Sequence, residues 1–173
     1  MAKIEIHRIT NANVYLDGQS LLGRAESVDL PSIKAKMVEH KAVGMVGTIE
    51  AFAGFEKLEG KIKWASFYAD VLKKVANPFK AVQLQVRGSM PIILGGSVSR
   101  EAPIVAMLTV VFKSLPGGAF KQHENVELET EFVAYYMKLT VDGQDVTEID
   151  VLENIYKAGG VDLLAQYRAN IGG

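Results

Sequence analysis

The sequence predicts a mainly β chain, a single domain over residues 1–173 of two packed antiparallel sheets, with one short internal helix, a long extended loop and a C-terminal helix. Three observations carry this expectation. Apolar residues recur mostly at a period of two, the spacing at which strand side chains return to the same face. The dipeptides Asp17-Gly18 and Asp142-Gly143 interrupt that alternation with the residues a two-residue hairpin turn prefers. Few stretches show helical spacing, and no linker, repeat or low-complexity tract divides the chain.

In order along the chain, Val14 and Leu16 alternate with Tyr15 before Asp17-Gly18, and Leu21-Leu22 begin the return of a hairpin. Val28 and Leu30 lead to Pro31, which lacks a ladder donor and interrupts the strand until residues 33–40 resume it. Residues 41–63 carry Gly44, Gly47, Gly54 and Gly60 among apolar side chains, too glycine-rich for a firm core strand and too apolar for a solvated loop. At its end Leu58, Gly60, Ile62 and Trp64 share one strand face while Lys57, Glu59, Lys61 and Lys63 take the other. Ser66 is placed to cap a helix to about Ala76, striped by Phe67, Val71, Leu72 and Val75 and closed by Asn77-Pro78.

Val82, Leu84 and Val86 mark another strand, and the Gly, Ser and Pro content of residues 88–103 reads as a long loop. Residues 104–113 are apolar on both faces, as in a covered strand, and Pro116-Gly117-Gly118 turns the chain back. Val126, Leu128, Thr130 and Phe132 then alternate with Glu127, Glu129 and Glu131, giving one apolar face and one face of three carboxylates about 7 Å apart per step. Asp142-Gly143 joins residues 136–141 to 145–149, and residues 160–171 read as the C-terminal helix, with Leu163, Leu164 and Tyr167 on its inner side and Gly172 as its stop.

Nineteen Lys plus Arg against twenty Asp plus Glu leave a formal charge of -1, which argues against a nucleic-acid clamp. The absence of Cys removes thiolate chemistry and disulfides. The first residues carry charges where a secretory leader needs an apolar run, and the longest apolar stretch, residues 102–112, is too short to span a bilayer as a helix. His7, His40 and His123 stand apart, Gly44-Met45-Val46-Gly47 and Gly95-Gly96-Ser97 lack the endings of a dinucleotide or phosphate loop, and Ser89, Ser97 and Ser99 lack a nucleophile elbow. No catalytic, cofactor-binding or metal-ligating residue is therefore nominated, and an enzyme or ligand-binding barrel is disfavoured. On periodicity alone, the three glutamates are equally a solvated outer face.

Several separated motifs together resemble the major tail tube protein family of contractile-tailed bacteriophages and R-type pyocins. They are Asn13-Val14-Tyr15-Leu16-Asp17-Gly18-x-Ser20-x-x-Gly23, Ser27-Val28-x-Leu30-Pro31, Gly44-Met45-x-Gly47, Leu139-Thr140-Val141-Asp142-Gly143, Glu148-Ile149-Asp150, Gly160-Val161-Asp162-x-Leu164 and Arg168-x-Asn170-Ile171-Gly172. One departure falls at His123, where the family often has Gly. The resemblance implies a non-enzymatic subunit of a contractile tail's inner tube, without cofactor, in a tail-tube β-sandwich or barrel fold. It implies homohexameric rings stacked inside a sheath, each subunit giving four strands to an inner barrel of twenty-four. At about 4.8 Å per strand that barrel is at least about 37 Å across, wide enough for duplex DNA.

The implied partners are further copies of the chain, the tail sheath protein, a baseplate tube initiator, the tape-measure protein and DNA passing without specific binding. The subunit itself is not expected to insert in a membrane. The implied location is the virion tail, after assembly in the host cytoplasm. An alternative within the resemblance is a bacteriocin tube like that of R-type pyocins, or a secretion tube, that carries no DNA. Because phosphate contacts would stall a polyanion, Glu127, Glu129 and Glu131 are expected to face the lumen. Residues 41–63 are expected to reach neighbouring subunits, with Met45, Val46, Ile49, Phe52 and Phe55 as contact residues.

Overall fold

The computed structural model describes residues 4–173. Its strands are β1 (Glu5–His7), β2 (Asn11–Leu16), β3 (Gln19–Ser20), β4 (Ala25–Asp29), β5 (Ala35–His40), β6 (Ile49–Phe55) and β7 (Leu58–Trp64), then β8 (Val82–Leu94), β9 (Ser97–Phe112), β10 (Leu128–Val141), β11 (Gln144–Asp150), β12 (Ile155–Ala158) and β13 (Val161–Asp162). Helix α1 (Ala69–Val75) lies between β7 and β8, and α2 (Ala165–Ile171) ends the chain. Among the described residues, eleven strands share one antiparallel sheet and β5 pairs with β6 in a second, two-stranded one.

The large sheet forks at β10. Along one edge, Leu128–Ala134 of β10 pair with β7, and Tyr136–Val141 pair with β11. The other edge pairs with β9 from Phe132 to Val141, with a register shift between Ala134 and Tyr136 that marks a bulge. A bulge bends its strand and sharpens the local twist, so one long strand serves two limbs of the sheet. β4 completes the β7 limb, and β12 and β13 complete the β11 limb.

Side chains from both limbs, from β2, β8 and β9 and from α1 form one core that includes Leu16, Trp64, Leu84, Phe112, Phe132 and Ile149. Thr130 is its one fully buried polar residue among those described, and its Oγ1 accepts the Trp64 Nε1–H at 3.0 Å. The indole donor therefore does not go unpaired in the interior. Gly60 stands directly opposite Phe132, and a Cβ there would strike the Phe132 ring and the Asp29 carbonyl. Glycine at that position lets the ring cover the strand.

Both Asp-Gly turns adopt positive φ at each residue, 49° and 78° at Asp17-Gly18 and 51° and 77° at Asp142-Gly143, as a hairpin turn matched to strand twist requires. His123, standing where the resemblance led one to expect Gly, adopts φ 62°, the left-handed region that glycine enters freely.

Three expectations about element limits differ from the structure. Residues 88–103 are not a loop, because β8 and β9 run through them as a hairpin turned at Gly95-Gly96. Pro91 and Pro103 are tolerated because their carbonyls accept from Arg8 and Asp142, away from the ladder that joins β8 to β9. A residue's N–H and C=O share one side of a strand, so each missing donor also faces away from that ladder. Ser66 does not cap α1, which begins at Ala69 after Tyr68 without a side-chain cap. Its hydroxyl instead meets Asn125 Oδ1 at 3.3 Å, and Phe67 is exposed.

The C-terminal helix starts later than expected, since Val161 and Asp162 first pair with β12. It buries no residue, and Leu163 and Tyr167 remain more than half exposed. An ion pair between Arg168 and Asp162, 2.5 Å from Nη2 to Oδ2, ties it back to β13. The Asp162 carboxyl is held below its ordinary range by that guanidinium, and its Oδ1 accepts the Leu164 N–H.

Candidate functional site

Glu129 and Glu131 lie on β10 and Glu127 immediately before it, while Leu128, Thr130 and Phe132 between them are buried. Strand alternation thus turns all three carboxylates away from the core. They do not form a bare acidic face. β7 lies alongside in antiparallel register, with Lys63 opposite Glu129 and Lys61 opposite Glu131. Lys61 Nζ is 3.2 Å from Glu129 and 3.8 Å from Asp29, and Lys63 Nζ is 3.2 Å from both Glu127 and Glu26. At the far side Lys113 is 2.7 Å from Glu59 and 3.8 Å from Glu131, and Lys57 is 3.2 Å from Glu59.

The face is therefore columns of alternating sign, acidic on β4, mainly basic on β7 and acidic on β10. Lys61 and Lys63 each reach the glutamate diagonal to them rather than the one directly opposite, and such opposite-charge neighbours stabilise the β7–β10 pairing. The titrations follow: Lys61 is raised first by Glu129, Lys63 by Glu127 and then Glu26, and Lys113 by Glu59. Glu59 is lowered by Lys113 and then Lys57. Glu26, Asp29, Glu59, Glu127, Glu129 and Glu131 against Lys57, Lys61, Lys63 and Lys113 is six carboxylates to four ammoniums, an excess of two negative charges. The lysine column was visible in the sequence as the outer face of 57–63, but its placement beside the glutamates required the β7–β10 pairing. Among the described residues, no three His, Cys, Asp or Glu side chains are grouped to hold a metal ion, and no helix is long and apolar enough to cross a membrane.

The stretch 41–63 resolves into three parts. Residues 41–48 form the tip of the β5–β6 hairpin, β6 forms one of its strands, and 58–63 belong to β7 in the core. Val46 is fully exposed, Ile49 and Phe52 are about half exposed, and Met45 is exposed to 39%. Phe55 differs, because it packs on the core with its ring centroid 4.7 Å from that of Tyr156. Of the five expected contact residues, four are thus exposed and the fifth anchors the hairpin root. Beside that root lies a cavity of about 580 Å³ lined by Phe52, Phe55, Val133, Ile149, Leu164 and Tyr167 among others.

The sequence model of the family described as phage tail tube protein FII matches residues 6–172. The tail tube protein of Escherichia phage P2 is 32% identical over 167 residues, covering 92% of this chain and 94% of the phage protein. The major tail tube protein of Serratia phage KSP20 is 28% identical over 150 residues, covering 87% and 86%. Among solved structures, the PVC sheath/tube terminator of an extracellular contractile injection system superposes with a TM-score of 0.57 at 11% identity, covering 75% of this chain and 92% of that one. The PVC sheath-tube complex gives 0.56 at 11% identity, covering 75% and 87%. At that identity the likeness is one of fold.

Proposed function

From the premise that the chain belongs to the phage tail tube protein FII family, we propose that it is a non-enzymatic subunit that stacks as homohexameric rings into the hollow inner tube of a contractile tail. The observation that carries this reading is the family match along nearly the whole chain, joined to a hairpin whose apolar side chains the monomer leaves uncovered. Soluble monomers seldom keep such a surface without a partner to cover it. A two-stranded hairpin is also marginal by itself, so residues 41–55 gain order when neighbouring subunits cover Met45, Val46, Ile49 and Phe52.

The tube serves as a conduit for DNA and the tape-measure protein, grows from a baseplate initiator and is wrapped by the sheath. It assembles in the host cytoplasm and resides in the virion tail. The face bearing Glu127, Glu129 and Glu131 lines the bore. Its two surplus carboxylates per subunit repel phosphates, and its lysines are held by carboxylates rather than offered to a passing polyanion.

Negative-stain electron microscopy of the purified protein across a concentration series tests assembly, with six-fold rings or hollow rods of even bore as the expected result. A monodisperse monomer throughout, even with a baseplate initiator added, would overturn it. A high-resolution reconstruction of the rods tests the bore, and the three glutamate side chains on the outer wall would reject that assignment while leaving the tube reading intact.

A further inference from the structure

The hairpin carries an electrostatic conflict. Glu39 on β5 stands directly opposite Glu50 on β6. Side chains so placed have Cβ atoms about 5 Å apart, and like charges there destabilise the pairing. Lys41 takes Glu39 at 3.0 Å, and among the described residues Glu50 has no ion-pair partner. The tip beyond it exposes Val43 and Val46 completely. A surplus of negative charge and an uncovered apolar turn therefore sit together at the outer end of the hairpin.

The root of the same hairpin has the opposite character. Ser32, Lys34, Lys36, Phe55, Glu56, Lys57 and Glu59 line a groove of about 580 Å³ there. Glu59 is held by Lys113 and Lys57. Lys34, Lys36 and Glu56 form no ion pair among the described residues, so the groove offers two uncommitted cations against one uncommitted carboxylate, a surplus of one positive charge beside the Phe55 ring. The tip cannot reach its own root. Strands of six and seven residues, at about 3.4 Å each, hold the two ends roughly 20 Å apart.

We propose that the hairpin tip of one copy docks in the root groove of a second copy, setting Glu50 against Lys36 and Lys34 and laying the Val43–Val46 turn against Phe55. This rests on the tube reading and specifies one of its contacts. The donor and acceptor surfaces lie at different places on the subunit, so the contact is head-to-tail and leaves a free tip and a free groove after each addition. That is the interface type that propagates a stack instead of closing a dimer.

Charge reversal tests it, with the association threshold read by sedimentation velocity and rod formation by electron microscopy. Glu50→Lys and Lys36→Glu are each expected to raise the threshold concentration about tenfold or more, a loss of at least about 1.4 kcal/mol. The double variant is expected to return to within about threefold of wild type, because the pair is restored with its sign exchanged. Glu50→Lys should also leave the monomer at least as resistant to denaturant, since it replaces a repelling cross-strand pair with an attracting one. That opposite movement of monomer stability and assembly separates a docking role from simple unfolding.

Wild-type protein that assembles while both single variants assemble at the same threshold overturns the contact and leaves the tube reading standing. So does a double variant no better than the weaker single one. Wild-type protein that never associates overturns both.

Discussion

β6 and β7 are consecutive strands of seven residues, each rich in apolar side chains and each containing one glycine, yet they end in different surroundings. In β7, Leu58, Ile62 and Trp64 are fully buried, and the space above Gly60 is filled by Phe132 from the next strand. In β6, Ile49 and Phe52 stay about half exposed, and Gly54 adopts φ 109° with nothing near the position of its missing Cβ. The difference is the partner. β7 is flanked by β4 and β10, whereas β6 has only β5. Apolar content alone does not make a core strand, and the chain divides into a body that completes itself and a hairpin that does not.

The most severe way to break this contrast is to empty the body. Phe132→Ala removes a side chain that is fully buried, edge-on to Phe112 at 6.0 Å and covering Gly60. It is expected to cost about 3–5 kcal/mol, read as a lower denaturant midpoint at unchanged slope. A loss below about 1 kcal/mol would mean that the two limbs of the sheet do not share one core.

Next in size is the polar link inside that core. Thr130→Val keeps the shape of the side chain but leaves the Trp64 N–H buried without its acceptor. An unpaired buried donor costs about 1–3 kcal/mol. Thr130→Ser, which keeps the hydroxyl, is expected to recover part of the loss, and equal losses for the two variants would assign the effect to packing instead of the hydrogen bond.

These body features were only partly legible in the sequence, for a reason visible in particular residues. The two Asp-Gly turns act through their own φ preferences and announce themselves locally. The buried face of Leu58, Ile62 and Trp64 follows from period two in the same way. What β7 pairs with depends on residues some 70 positions away, so nothing near Lys61 or Lys63 reveals that Glu129 and Glu127 will neutralise them. Pro91 and Pro103 suggest a loop for a related reason: a proline breaks a ladder only on the side its nitrogen faces, and that side is set by the fold. Ser66 is a sound candidate cap by sequence, but Asn125, on the connection between β9 and β10, engages its hydroxyl.

Acid should act on the body through a smaller, pH-dependent effect. Glu148 lies in the β11 limb, where Lys157 Nζ approaches its Oε2 at 2.9 Å and the Tyr136 hydroxyl donates to its Oε1 at 3.2 Å. Lys157 chiefly, then Tyr136, hold this carboxyl below the ordinary value of 4.5. A carboxyl lowered in the folded state stabilises it above the unfolded value and ceases to do so as pH falls through the folded one. The denaturant midpoint is therefore expected to decline below about pH 4.5, and Glu148→Gln is expected to flatten that decline while costing stability at neutral pH. An unaltered acid profile in the variant would show that other carboxylates carry it.

The smallest effect on the monomer, and the one that sharpens the contrast most, belongs to Phe52. Its ring is half exposed, touches Phe55 edge-on at 5.1 Å and borders the apolar cavity at the hairpin root. Replacing it with Ser leaves the core cluster untouched, so the denaturant midpoint of the free subunit should move by no more than about 0.5 kcal/mol. If a second copy covers this surface, the same substitution removes apolar area that is buried only on association, and the threshold for rod formation should rise several-fold. A large aromatic residue whose loss the monomer tolerates and the assembly does not is the mark of a side chain held for a neighbour. A monomer destabilised as much as by Phe132→Ala would instead make the hairpin part of the body, and the distinction between the two regions would fail.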